Sequence, residues 1–110
     1  MINTENKIYV GDTGLAIICN METNISGATD IVLNVRKPDG TVVQWTGEEH
    51  SIDGNRNYIK YITQEGDLDQ RGRYKVQPLA TISGWTGRGE TAEFRVEGLF
   101  RYLYRRLKWQ

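Results

Sequence analysis

One cysteine and one histidine stand among the 110 residues. Cys19 closes the apolar run Leu15-Ala16-Ile17-Ile18-Cys19, a setting that reads as a small buried hydrophobe. As a nucleophile it would want a base, and the single histidine, His50, lies in a turn-like stretch. One cysteine excludes an internal disulfide, and one cysteine with one histidine excludes a zinc cluster. Acids gather twice, at Glu48, Glu49 and Asp53 and at Glu65, Asp67 and Asp69. Alternating carboxylates can surround a hard cation, but neither group follows a full calcium-loop pattern, so both read as solvated loop charges. A glycosidase needs two acids facing each other across a cleft, and this short chain has no cleft-forming insertion. Gly84-Trp85-Thr86-Gly87-Arg88-Gly89 has glycines but no following helix to hold a phosphate, and reads as a hairpin turn. These readings predict no enzyme, no metal and no cofactor.

Binding chemistry has two candidates. Trp45 and Trp85, with Tyr61, could stack on sugar rings, which would make the chain a carbohydrate-binding module for host-surface adhesion. Core or interface packing is the preferred reading of these aromatics. The second candidate is the segment Gly98–Gln110. Leu99, Leu103 and Leu107 recur every four residues, as do Phe100 and Tyr104, with Arg101, Arg105 and Lys108 on another side. This is a helical period with a basic flank, although Tyr102, Tyr104 and Trp109 would equally suit an extended arm. The segment holds four cations and no acid, so the remaining 97 residues, with 10 bases and 14 acids, carry −4. That acidic body argues against nucleic acid, whose affinity rests on phosphate contacts. The expected partner of Leu99, Phe100, Arg101, Tyr102, Leu103, Tyr104, Arg105, Arg106, Leu107 and Trp109 is an acidic protein surface, including another copy of the chain.

These residues need a scaffold, and the pattern of short apolar runs supplies one. Strands are expected at Lys7–Val10, at Leu15–Asn20 with both faces buried, and at Asp30–Lys37 with Ile31, Leu33 and Val35 inward. Pro38-Asp39-Gly40 turns the chain into Thr41–Thr46, because proline presets φ and glycine accepts positive φ. Asn24–Thr29 reads as a loop whose Ile25 and Ala28 cover one end of the core, and Gly47–Asn57 as a connection crossing between sheets. Asn57–Thr63 is a strand whose buried face is ambiguous. A long strand from Tyr74 to about Ile82 contains Pro78, which implies a bulge or an edge. Trp85 is expected to project from the turn that follows. Glu90–Glu97 then places Ala92, Phe94 and Val96 inward. Seven strands with regular turns give a β-sandwich, all-β and antiparallel, over residues 1–97, with 98–110 as an assembly segment.

The organising stretch is Asp67–Val76. Gly72-x-Tyr74 after an acidic loop fits a tyrosine corner, in which the buried ring turns its hydroxyl back to an upstream backbone group.

Five segments together carry a resemblance. They are Gly11-Asp12-Thr13, Ile25-Ser26-Gly27-Ala28-Thr29, Arg36-Lys37-Pro38-Asp39-Gly40-Thr41-Val42, Gly72-Arg73-Tyr74-Lys75-Val76 and Gly89–Val96. Their order resembles the immunoglobulin-like N-terminal domain of phage baseplate upper proteins and related small phage tail and neck proteins, over residues 8 to 97. The long receptor-binding continuation of such proteins does not occur in these 110 residues, and Gly84–Gly89 replaces a proline-containing turn. The resemblance implies an immunoglobulin-like sandwich and a virion structural protein of the tail, baseplate, neck or head surface. It implies partners that are other virion proteins and copies of itself, and brings no catalytic residues. With the polar opening Met1–Asn6 and no membrane-spanning run, the expected route is synthesis in a bacterial cytoplasm and residence in the virion.

Overall fold

The computed structural model describes residues 7–99. Nine strands occur among them: β1 (Ile8–Tyr9), β2 (Ala16–Asn20), β3 (Asp30–Arg36), β4 (Val42–Thr46), β5 (Glu48–Ile52), β6 (Asn55–Ile62), β7 (Gly72–Ile82), β8 (Trp85–Arg88) and β9 (Ala92–Glu97). One sheet runs β1-β9-β7-β3-β4, with β8 also beside β7; the other runs β2-β6-β5. All pairings are antiparallel except β1 with β9. The two sheets form a sandwich-like arrangement around a core that includes Cys19, Ile25, Leu33, Val35, Trp45, Ile59, Leu68, Tyr74, Val76 and Val96. Trp45 of β4 and Tyr61 of β6 stack across the two sheets, with centroids 4.8 Å apart and planes inclined by 15°.

Two strands lie where the sequence reads as loops. Gly47–Asn57 holds all of β5, and the crossing between sheets is compressed into Gly47. A Cβ there would stand 2.5 Å from Ile59 Cγ2, so only glycine lets the chain pass so close. The alternation of Glu48-Glu49-His50-Ser51-Ile52 is too polar to signal a strand, because β5 is an edge strand with little apolar surface to bury. Gly84–Gly89 likewise holds β8, and the turn before it is only Ser83 and Gly84, both at positive φ (43° and 82°) as a tight hairpin requires.

Burial corrects the readings of β2 and of Ala92 and resolves that of β6. β2 is not covered on both faces: Cys19 is buried while Ile18 is 45% exposed. In β6 the ambiguity resolves toward the Ile59 face. In β9, Phe94 and Val96 turn inward, but Ala92 is exposed, at the start of the strand.

Pro78 is neither a bulge nor on an edge strand. It sits inside β7, opposite Leu33, and is fully buried. On the other side of β7, β9 pairs only as far as Val76 and β8 only from Leu79. The Pro78 carbonyl accepts the Gly89 N–H at 3.0 Å, on that outer side. The nitrogen and carbonyl of one strand residue point to the same edge, so the missing donor faces the gap between β8 and β9 and no ladder bond is lost.

Candidate functional site

Four residues singled out for their turn chemistry, Pro38, Gly40, Gly72 and Tyr74, converge on one corner. Gly40, at φ +92°, closes the β3–β4 hairpin by donating its N–H to the Lys37 carbonyl at 2.8 Å. Gly72, at φ +125°, lies against the Pro38 ring; a Cβ there would fall 2.9 Å from Pro38 Cβ. Tyr74 is completely buried, stacks on Phe94 at 5.3 Å, and its hydroxyl accepts the Gln70 N–H at 3.0 Å. That is the back-turned hydroxyl of a tyrosine corner.

Charge and amide contacts fasten the same corner. Lys37 Nζ reaches Asp69 Oδ1 at 2.8 Å, and the Asp39 N–H donates to Gln70 Oε1 at 3.0 Å. The hydrogen bond to Asp69 raises the Lys37 pKa above the usual lysine value. Bonds from Thr41 hold the Asp39 carboxyl below the usual aspartate value. Burial pushes the Tyr74 phenol up. The β3–β4 hairpin and the loop before β7 are therefore one clamped unit.

Three acids of the two groups, Asp67, Asp69 and Glu49, are likewise engaged. Asp67 Oδ2 accepts the Tyr61 hydroxyl at 2.5 Å and the Gln64 N–H at 2.7 Å. Burial first, and then that bond to Asp67, push the Tyr61 phenol well above the ordinary tyrosine range. Glu49 pairs with Arg56, and Asp53 sits in the β5–β6 turn at φ +52°. Among the described residues, no three histidine, cysteine, aspartate or glutamate side chains form a metal-holding group.

Cys19 and His50 are not brought together. Cys19 pairs with Ile59 and shares its inner face, whereas His50 pairs with Tyr58, on the opposite face and across the full width of β6. Burial also raises the Cys19 thiol pKa, which disfavours the reactive thiolate.

The two-tryptophan platform is corrected by the core. Trp45 is 4% exposed and stacked on Tyr61, so it has no face for a sugar. Trp85 is 51% exposed. Its ring lies over Gly87, where a Cβ would stand 2.0 Å from the ring, so Gly87 is the residue that lets the indole lie flat on its own strand.

Of the expected interface segment, Leu99 is described and is 57% exposed. Phe100, Arg101, Tyr102, Leu103, Tyr104, Arg105, Arg106, Leu107 and Trp109 lie outside the described residues.

Sequence reasoning missed the buried roles of Leu68, Met21 and Thr63. Thr63 is 2% exposed and binds Leu15 twice: its N–H donates to the Leu15 carbonyl at 2.9 Å, and its Oγ1 accepts the Leu15 N–H at 3.0 Å. Polar neighbours hid these residues: Leu68 was an isolated leucine between Asp67 and Asp69, Met21 lies between Asn20 and Glu22, and Thr63 is itself polar. No family model, curated protein or solved structure matches the chain.

Proposed function

We propose that the chain is a non-enzymatic structural protein of a bacteriophage virion, an immunoglobulin-like sandwich that acts by multi-copy assembly. One observation carries the assembly reading. β9 leads the chain to Leu99, 57% exposed, at the head of a segment with six further large apolar or aromatic side chains, four cations and no acid within Phe100–Trp109. At about 25 cal/mol per Å² of apolar area, burying several such side chains against a neighbour outweighs exposed ion pairs of about 0.2–1 kcal/mol each. The acidic surface of a second copy supplies charge complementary to Arg101, Arg105 and Arg106. The inward Cys19 and the internally bonded carboxylates support a role without catalysis. The virion assignment rests on the resemblance of residues 8 to 97 to phage baseplate, tail and neck proteins. A mass-spectrometric inventory of purified virions is expected to contain the chain in a fixed multiple of the copy number of a neighbouring component. Virions without it overturn the assignment.

A second reading has one observation in its favour: the exposed Trp85 indole, laid flat over Gly87, is a single sugar-stacking surface. Glycan-array binding abolished by Trp85→Ala would favour it, and silence across a broad array would remove it.

A further inference from the structure

The outer face of the six-stranded sheet carries two cross-strand pairs of like charge, and they are treated differently. Arg73 stands opposite Arg95. Each reaches a carboxylate, Arg73 Nη1 to Glu93 Oε2 at 3.6 Å and Arg95 Nε to Glu97 Oε2 at 3.2 Å. Arg36 stands opposite Lys75. Among the described residues neither has a carboxylate within ion-pair distance. Glu93, the residue beside Lys75 on β9, is taken by Arg73, and β4 offers Arg36 only Val42.

A shallow concavity of about 210 Å³ lies at this pair, lined by Asn34, Arg36, Val42, Lys75, Gln77 and Thr91. Its walls offer a guanidinium, an ammonium, two amides and a hydroxyl, and no acid. Like charges opposed across a ladder destabilise it. A carboxylate placed between them turns that repulsion into two charge-assisted hydrogen bonds.

We propose that this concavity seats a carboxylate from a second copy of the chain, that of Asp53 at the tip of the β5–β6 hairpin. The inference rests on the multi-copy reading. Charge complementarity selects the occupant, because residues 1–97 hold 14 acids against 10 bases. Several loop acids are already spoken for: Asp12 by the Tyr9 N–H, Asp39 by the Thr41 N–H, Asp67 by Tyr61 and Asp69 by Lys37. Asp53 is exposed and forms no hydrogen bond or ion pair among the described residues. With Gly54 it makes a two-residue turn (φ 52° and 81°), a narrow acidic projection suited to a small, shallow seat. Seat and projection are different patches, so the contact is heterologous and joins copies head to tail, closing a ring or extending a filament.

The test is sedimentation velocity of the full chain at low and moderate salt, with Arg36→Gln/Lys75→Gln and Asp53→Asn. Asparagine tolerates the positive φ at residue 53, so the turn is kept. Each variant is expected to weaken self-association by about tenfold or more at low salt and to reduce its salt dependence. Both are expected to melt no lower than the parent, which separates a lost contact from a lost fold. Association unchanged in Arg36→Gln/Lys75→Gln overturns the seat alone. Association lost there but kept in Asp53→Asn overturns the occupant. A parent chain that stays monomeric overturns both this contact and the multi-copy reading.

Discussion

The clamped corner and the outer face of the six-stranded sheet solve opposite problems with similar residues. At the corner, Lys37 has Asp69, Asp39 has Thr41 and Gln70, and the Tyr74 hydroxyl has the Gln70 N–H. On the outer face, Arg36 and Lys75 stand side by side with no acid between them. Where charges are satisfied internally, mutation should change stability. Where they are left unsatisfied, mutation should change association and leave stability almost untouched. A chain under pressure only to be stable would have placed an acid beside Arg36, as it did beside Arg73 and Arg95.

The sharpest way to break the corner is Gly72→Ala. It forces a side chain into positive φ and drives a Cβ into the Pro38 ring, and is expected to cost about 2–4 kcal/mol from combined strain and overpacking. Urea unfolding followed by tryptophan fluorescence would show the lowered midpoint. Tyr74→Phe keeps the ring and its stack on Phe94 but strands the Gln70 N–H, and is expected to cost about 1–3 kcal/mol.

That corner was legible in the sequence because each of its parts is a local signal. Proline before Asp-Gly, glycine before x-Tyr and an acidic loop all state backbone geometry, which sequence spells out. β5 was not legible, since Glu48-Glu49-His50-Ser51-Ile52 gains its place from pairing with β6 rather than from its own composition. Pro78 misled for the same reason: its missing donor is harmless only because the outer partner of β7 changes from β9 to β8 at that residue. The Trp45 platform failed because an aromatic on a strand does not declare its face until register is known, and register sets Trp45 opposite the buried Leu33. The Arg36–Lys75 pair was invisible for want of that same register.

Alkali should probe the corner and the Tyr61–Asp67 contact together. Tyr61, Tyr74 and Lys37 all have pKa values raised in the folded chain. Their contribution is whole below the unfolded values, 10.0 for tyrosine and 10.5 for lysine. Above those values the unfolded chain gives up its protons more readily, and stability falls as pH rises toward the folded values. Unfolding midpoints measured across that alkaline range should drop, and Tyr61→Phe should make the drop shallower. An unchanged slope in that variant would remove Tyr61 from the explanation.

The smallest expected change in stability is the most informative for the comparison. Arg36→Gln/Lys75→Gln should alter the unfolding free energy by no more than about 0.5 kcal/mol, with the sign toward stabilisation as repulsion is relieved. A loss of 2 kcal/mol or more, judged against the roughly 0.5 kcal/mol typical of surface changes, would mean the pair is as internally committed as the corner.

The proposed division between a self-sufficient body and an assembly segment at Leu99–Gln110 is tested most directly by removing that segment. The shortened chain and the full chain would be compared by urea unfolding and by sedimentation. The expected result is an unfolding midpoint and slope unchanged for the monomer, with assembly lost. A shortened chain that still assembles, or one whose unfolding free energy collapses because the segment was packed on its own body, contradicts it.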